Sequence, residues 1–86
     1  MKRKKYKKIT YKENSLRIFE IYLSKREKVS ILFDIYYEKK GIKNQNKKYF
    51  VCTGDVINPQ ITQNIENIQK NIDNMNILVY DNVQNN

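Results

Sequence analysis

The chain has no histidine, no tryptophan, one cysteine, one proline and two glycines among its 86 residues. Each scarcity excludes something. Without histidine, the commonest general base, the commonest metal ligand and every Ser-His or Cys-His nucleophile pair are missing. A single cysteine, Cys52, forbids an internal disulfide and leaves no credible zinc site. Gly41 and Gly54 stand alone, so there is no glycine-rich phosphate loop. The nine acids are dispersed and form no paired-carboxylate motif. No apolar run approaches the ~18 residues that suggest a membrane span. The polar stretch ITYKENSLR follows the basic N-terminus, where a signal peptide needs an apolar region. These exclusions predict a protein that is not an enzyme, needs no cofactor or metal, engages no membrane and stays in the cytoplasm. Cys52, within YFVCTG, is expected to be a small buried hydrophobe.

What the chain does have is positive charge, unevenly placed. Residues 1–48 hold sixteen of the seventeen Lys and Arg against five acids, a net +11. Residues 49–86 hold only Lys70 against Asp55, Glu66, Asp73 and Asp81, a net −3. A Lys- and Asn-rich coding bias would supply both residue types throughout. The second half is full of Asn and nearly free of Lys, so bias alone does not produce this segregation. A polarised charge distribution predicts an anionic partner.

Hydrophobic residues make up 40% of the chain, enough for one modest core in one domain. Residues 1–8 carry no apolar pattern and are expected to be a flexible basic arm. Residues 9–81 should form a single α+β domain, and 82–86 a frayed tail. Ile9 and Tyr11 alternate with polar neighbours, as in a short edge strand. LRIFEIYL (16–23) is apolar on both parities, but its β-branched and aromatic content favours a strand. In KVSILFDIYYE (28–38), Val29, Ile31, Phe33, Ile35 and Tyr37 alternate strictly, which predicts another strand. A lysine-rich loop, KKGIKNQNKK, leads to a third strand, YFVCT, ended by Gly54-Asp55. Asn58 then suits an N-cap and Pro59 the first helical position. Ile61, Ile65, Ile68, Ile72 and Met75 follow at alternating spacings of four and three, the seam of an amphipathic helix. Ile77 to Tyr80 suit a fourth strand or a packed tail. The expected fold is therefore a small antiparallel sheet of three to four strands, (β)βββα(β), with one face covered by a single helix.

The candidate binding surface has three cationic parts. The arm supplies Lys2, Arg3, Lys4, Lys5, Lys7 and Lys8; the loop before the second strand supplies Lys25, Arg26 and Lys28; the long loop supplies Lys39, Lys40, Lys43, Lys47 and Lys48. In a meander these loops flank the open sheet face, where Tyr36, beside Leu32, would offer a ring for base stacking. Lysine far outnumbers arginine, and lysine attracts phosphates as a point charge rather than reading bases. The expected function is backbone-directed nucleic-acid binding, to DNA or RNA, with little sequence preference. The alternatives are an inhibitor or adaptor of the phage or anti-CRISPR type, docking on a nucleic-acid-processing protein complex, and an organellar or ribosomal accessory protein. The isoleucine seam offers a surface for docking or for a homodimer. In element order alone, βββα resembles the arm-type DNA-binding domain of tyrosine integrases and related plant DNA-binding modules. That resemblance implies DNA binding and transfers no site residues.

Overall fold

Between Val29 and Tyr37 the apolar residues occupy both parities, and this decides the element. The computed structural model, which describes residues 5–60, 62–68 and 74–82, makes this segment a helix, α1 (Ser30–Lys40). Val29, Leu32, Phe33, Tyr36 and Tyr37 are its buried positions, spaced as one helical stripe. The strict alternation read above is real but incomplete: Leu32 and Tyr36, off its parity, carry the burial that a strand would have turned outward. Gly41 ends the helix in the left-handed region at φ 69°, and its N–H bonds the Glu38 carbonyl at 3.2 Å. Lys39 and Lys40 fill the last turn, where cations suit the helix dipole.

Five strands surround this helix in sequence. β1 (Tyr6–Glu13) and β2 (Leu16–Ser24) form a hairpin across Asn14 and Ser15, both at positive φ. That backbone matches the twist of the strands it joins. β3 (Lys48–Cys52) and β4 (Asp55–Ile57) form a second hairpin across Thr53 and Gly54, again both at positive φ. β5 (Asn74–Asp81) closes the chain between the hairpins. The order is β2-β1-β5-β3-β4, with β1 and β5 parallel at the centre and the other neighbours antiparallel.

The expectation of a three- to four-stranded antiparallel sheet is thus corrected to a mixed sheet of five strands. The order (β)βββα(β) becomes ββαββαβ, and the main helix comes before β3 instead of after it. A long helix over 59–75 is not what forms. Asn58 and Pro59 begin a turn, and only α2 (Ile65–Ile68) is helical among the described residues there. Met75 lies in β5. The segment expected to be a short edge strand at Ile9 is β1, a central strand. Tyr6, Lys7 and Lys8 belong to it, so these three are not part of an arm. Residues 1–4 and 83–86 lie outside the described residues.

The core lies between α1 and one face of the sheet. Ile9 and Tyr11 of β1, Phe50 and Cys52 of β3, Ile57 of β4 and Met75, Ile77 and Val79 of β5 meet the helical stripe. Aromatic rings knit the layers: Tyr11 stacks with Phe19 at 4.4 Å and with Tyr36 at 5.8 Å, and Phe33 stacks on Phe50 at 4.2 Å. The Tyr11 hydroxyl donates to the Leu32 carbonyl at 2.7 Å. Burial pushes the Tyr11 phenol well above its ordinary pKa. Ile65 of α2 seals one end, held by its N–H on the Glu27 carbonyl at 2.8 Å. Cys52 is buried, and its surroundings push the thiol pKa up, mainly by desolvation.

Candidate functional site

The two faces of the sheet differ. α1 covers one. The other carries the opposite parity of every strand, and its composition divides in two. On the β2-β1 side the outward residues are polar at one end, where Thr10 and Glu20, and Lys12 and Arg17, form cross-strand pairs, while the exposed rings of Tyr6 and Tyr22 stand at the other end beside Lys8. Glu20 is ion-paired there with Arg17 and, at 3.6 Å, with Lys8. Asn74 and Asn76 of β5 adjoin them around a shallow cleft of about 520 Å³.

On the β5-β3-β4 side the outward residues are apolar. Leu78 is paired with Val51, Val51 with Val56, and Tyr49 with Tyr80. The two tyrosine rings stack at 5.3 Å. Val56 is 65% exposed and Tyr80 44%. Cross-strand neighbours lie within about 5.5 Å, so these five residues form one continuous surface. Lys12, the β1 partner of Leu78, marks its polar border. Exposed apolar residues scattered singly need no explanation, but a contiguous set on an uncovered sheet face does.

The cationic residues singled out from the sequence do not converge on this face. Lys2, Arg3 and Lys4 lie outside the described residues. Lys5 is exposed, Lys8 half-buried, and Lys7 is fully buried on the core face of β1. Lys25, Arg26 and Lys28 sit in the loop entering α1; Lys39 and Lys40 sit at its other end. An 11-residue helix separates the two groups by roughly 16 Å. Lys43, Lys47 and Lys48 line an open cleft of about 820 Å³ with Ile42, Asn44, Asn46, Asp81 and Asn82. Lys48 is ion-paired with Asp81, whose hydrogen bond holds the ammonium above the usual lysine pKa.

Tyr36 was expected on the open face. It is 0% exposed, inside the core, and its hydroxyl donates to Glu13 Oε1 at 2.7 Å. Burial first, and then this hydrogen bond, raise its phenol pKa. In the proposed seam, Ile61 and Ile72 fall outside the described residues. Ile65 and Met75 are buried in the core and Ile68 packs against it. These three therefore offer no surface for a helix-mediated dimer. Among the described residues, no group of three or more His, Cys, Asp or Glu is placed to hold a metal, and no helix is long and apolar enough to cross a membrane.

The apolar face was missed in the sequence, though a signal was there. A strand with one face on the core normally alternates apolar and polar residues. Tyr49 and Val51 break that rule in β3, as do Leu78 and Tyr80 in β5.

Solved structures share this architecture along the whole chain. The ubiquitin-like (UBL) domain of yeast Ddi1 matches with a TM-score of 0.79 at 14% identity, covering 100% of both chains. The fold is ubiquitin-like. The ubiquitin-like domain of the Arabidopsis thaliana protein At2g32350 matches with a TM-score of 0.71 at 18% identity, covering 95% of this chain and 83% of that one. A de novo design based on ubiquitin matches at 0.70 and 10% identity, covering 94% of each. At these identities the likeness is one of fold. No protein-family model matches the chain, and no curated protein matches it by sequence.

This fold overturns the expectation of nucleic-acid binding. The solved neighbours are ubiquitin-like domains, and the cations named for a phosphate-gripping surface are spread over separate parts of the fold. The resemblance to arm-type DNA-binding domains falls with the element order it rested on. Neither the phage-type inhibitor nor the ribosomal accessory reading finds support among these structures.

Proposed function

We propose that the chain is a protein-binding module that docks a partner on the open face of its ubiquitin-like sheet, at the β5-β3-β4 side. The observation that carries this is the uninterrupted apolar surface of Tyr49, Val51, Val56, Leu78 and Tyr80, opposite the helix and covered by no described residue. A rigid sheet presents these side chains with little ordering to be lost on binding. Two of the five are tyrosines, a residue type enriched among the residues that carry most of an interface's energy. The β2-β1 side of the same face carries Thr10, Lys12 and the ion-paired Arg17, Glu20 and Lys8, so the contiguous apolar half is not a consequence of the fold alone. The role is one of recognition and involves no catalysis.

The test is selection of binding proteins with the immobilised chain, followed by affinity measurement against Val51→Asp, Tyr80→Ser and Lys8→Glu variants. A partner using this face loses at least about tenfold in affinity with each of the first two, since a charge or a truncation at an interface centre typically removes 1.4 kcal/mol or more. It keeps its affinity for the Lys8→Glu chain, whose change lies on the polar half. Equal loss with Lys8→Glu, or none with Val51→Asp, would sink the proposal. Thermal unfolding of each variant is measured alongside: Tyr80→Ser gives up the stack with Tyr49 and Val51→Asp its strand packing, each worth about 1 kcal/mol, so the affinities are compared at a temperature where all three variants are folded.

A further inference from the structure

The cleft between the α1–β3 loop and the end of β5 plays no part in the open face, and three lysines line it. We infer that this cleft is a binding site for a small phosphate monoester carrying an apolar group.

A lysine-rich loop that served solubility alone would need no fixed shape. This one is held from two sides. From α1, the Tyr37 hydroxyl donates to the Gln45 carbonyl at 2.9 Å and accepts the Lys48 N–H at 3.1 Å. From the end of β5, Asn82 donates its backbone N–H to the Lys47 carbonyl at 2.8 Å and its side-chain amide to the Asn46 carbonyl at 3.0 Å. Within the loop, Asn44 Oδ1 accepts the Asn46 N–H at 2.9 Å, which fixes a tight turn. The walls of the cleft are therefore set before a ligand arrives, and little ordering is lost on binding.

Charge and size select the ligand. Lys43, Lys47 and Lys48 face a single lining acid, Asp81, and Asp81 is paired with Lys48. Among the described residues no acid pairs with Lys43 or Lys47, and both are exposed. A phosphate monoester carries about −1.5 to −2 charges at pH 7 and matches these two ammonium groups. A carboxylate would balance only one of them. Lysine binds phosphate as a point charge, and the Asn44 amide, its oxygen spent on the turn, keeps its NH2 as a further donor. The cleft of about 820 Å³ falls in the range of small-molecule sites, roughly 300–1,000 Å³, and a bare phosphate would fill little of it. Half-buried Ile42 and the methylene stems of the lysines offer the remainder of the molecule an apolar wall. A nucleic-acid backbone fits less well, since each internal phosphodiester brings one charge and the other cations of the chain do not continue the line. The cleft shares no residue with the five of the open face, so the two readings stand or fall separately.

The test is an NMR titration of the isotope-labelled chain with phenyl phosphate at near-physiological salt. Saturable shifts are expected at Ile42–Lys48, Asp81 and Asn82, with a dissociation constant below about 1 mM. Inorganic phosphate should bind at least about fivefold more weakly and phenol not measurably, because each supplies only half of the contact. A Lys43→Glu, Lys47→Glu double variant should lose at least about tenfold. An Arg26→Glu, Lys28→Glu double variant of the same net charge should stay within about twofold of the parent, as should Val51→Asp. The proposal fails if millimolar phenyl phosphate gives no saturable shift at these residues, or if inorganic phosphate binds as tightly. It fails equally if the two double variants lose affinity alike, which would make the effect one of overall charge. Binding of phosphatidic acid vesicles, or of an oligonucleotide without a terminal phosphate, at these residues while phenyl phosphate does not bind would also overturn it.

Discussion

The Tyr36 hydroxyl donates to Glu13 Oε1 at 2.7 Å, tying the buried stripe of α1 to the end of β1. Lys40 reaches the same carboxylate oxygen at 3.6 Å. A residue first read as a ring open to solvent is thus a tie between the two layers. Tyr36→Phe keeps the packing and removes one hydrogen bond to a charged group, a loss of about 1.5–2 kcal/mol. Tyr36→Ala also removes the ring from its stack with Tyr11 and should cost about 3–5 kcal/mol, enough to unfold a marginal domain. Urea denaturation of the two variants checks the ordering. An exposed Tyr36 would show less than about 0.5 kcal/mol for either.

Alkaline pH should unfold this chain more steeply than its composition suggests. The phenols of Tyr11, Tyr36 and Tyr37 all have raised pKa values, chiefly from burial, and so has the Cys52 thiol. A raised pKa means that the folded state holds its proton where the unfolded chain has released it. The associated stability is complete below the unfolded pKa and is lost as pH rises. The unfolded values are near ~8.5 for cysteine and ~10 for tyrosine. Lys48, raised by its hydrogen bond to Asp81, acts with the same sign. Stability should therefore begin to fall above about pH 8.5 and drop above pH 10 by roughly 1.4 kcal/mol per pH unit for each buried tyrosine. Urea melts from pH 7 to 11 give the slope. Tyr11→Phe should make it shallower by about one proton, and an unchanged slope would mean that Tyr11 ionises freely in the folded state.

The identity of α1 can be tested by substitution. In a strand over 28–38, Ile31, Phe33, Ile35 and Tyr37 would be buried together. In the helix, Leu32 and Phe33 are buried while Ile31 and Ile35 are only half-buried. Leu32→Ala should cost about 2–5 kcal/mol, as for other fully buried leucines, and Ile35→Ala clearly less. The reverse ranking in thermal unfolding would return the segment to a strand.

These elements show where the sequence was legible. β2 and β3 were readable because LRIFEIYL and YFVCT are dense in β-branched and aromatic residues. The bulge at Ile18 explains why β2 looked apolar on both parities: the register shift opposite Tyr11/Lys12 brings Ile18 and Phe19 together onto the core. In α1 two periods coexist over nine residues, and the alternating one was chosen although Leu32 and Tyr36 contradicted it. Over 58–75, Asn58-Pro59 and the evenly spaced isoleucines imitate a helix start and seam. The asparagines weaken that helix, and Met75 is claimed instead by β5. The parallel pairing of β1 with β5 joins residues more than sixty positions apart, which no local pattern discloses. The apolar docking face could be recognised only once the helix was known to cover the opposite side. The charge asymmetry was legible from the start, but its spread over both ends of α1 and the cleft at Lys43, Lys47 and Lys48 was not.

The Tyr49–Tyr80 stack offers the last test, because it separates recognition from stability. The rings meet at 5.3 Å with an interplanar angle of 23°, on the solvent side of neighbouring strands. A cross-strand aromatic pair at an exposed position contributes about 0.5–1 kcal/mol of coupling. A double-mutant cycle with Tyr49→Ser and Tyr80→Ser should recover that value in unfolding measurements. The same two changes should weaken a partner on the open face far more, since a bound partner desolvates both rings at once. Coupling in stability without a loss of binding would make the stack a structural device of the β3-β5 pair and remove Tyr49 and Tyr80 from the docking surface.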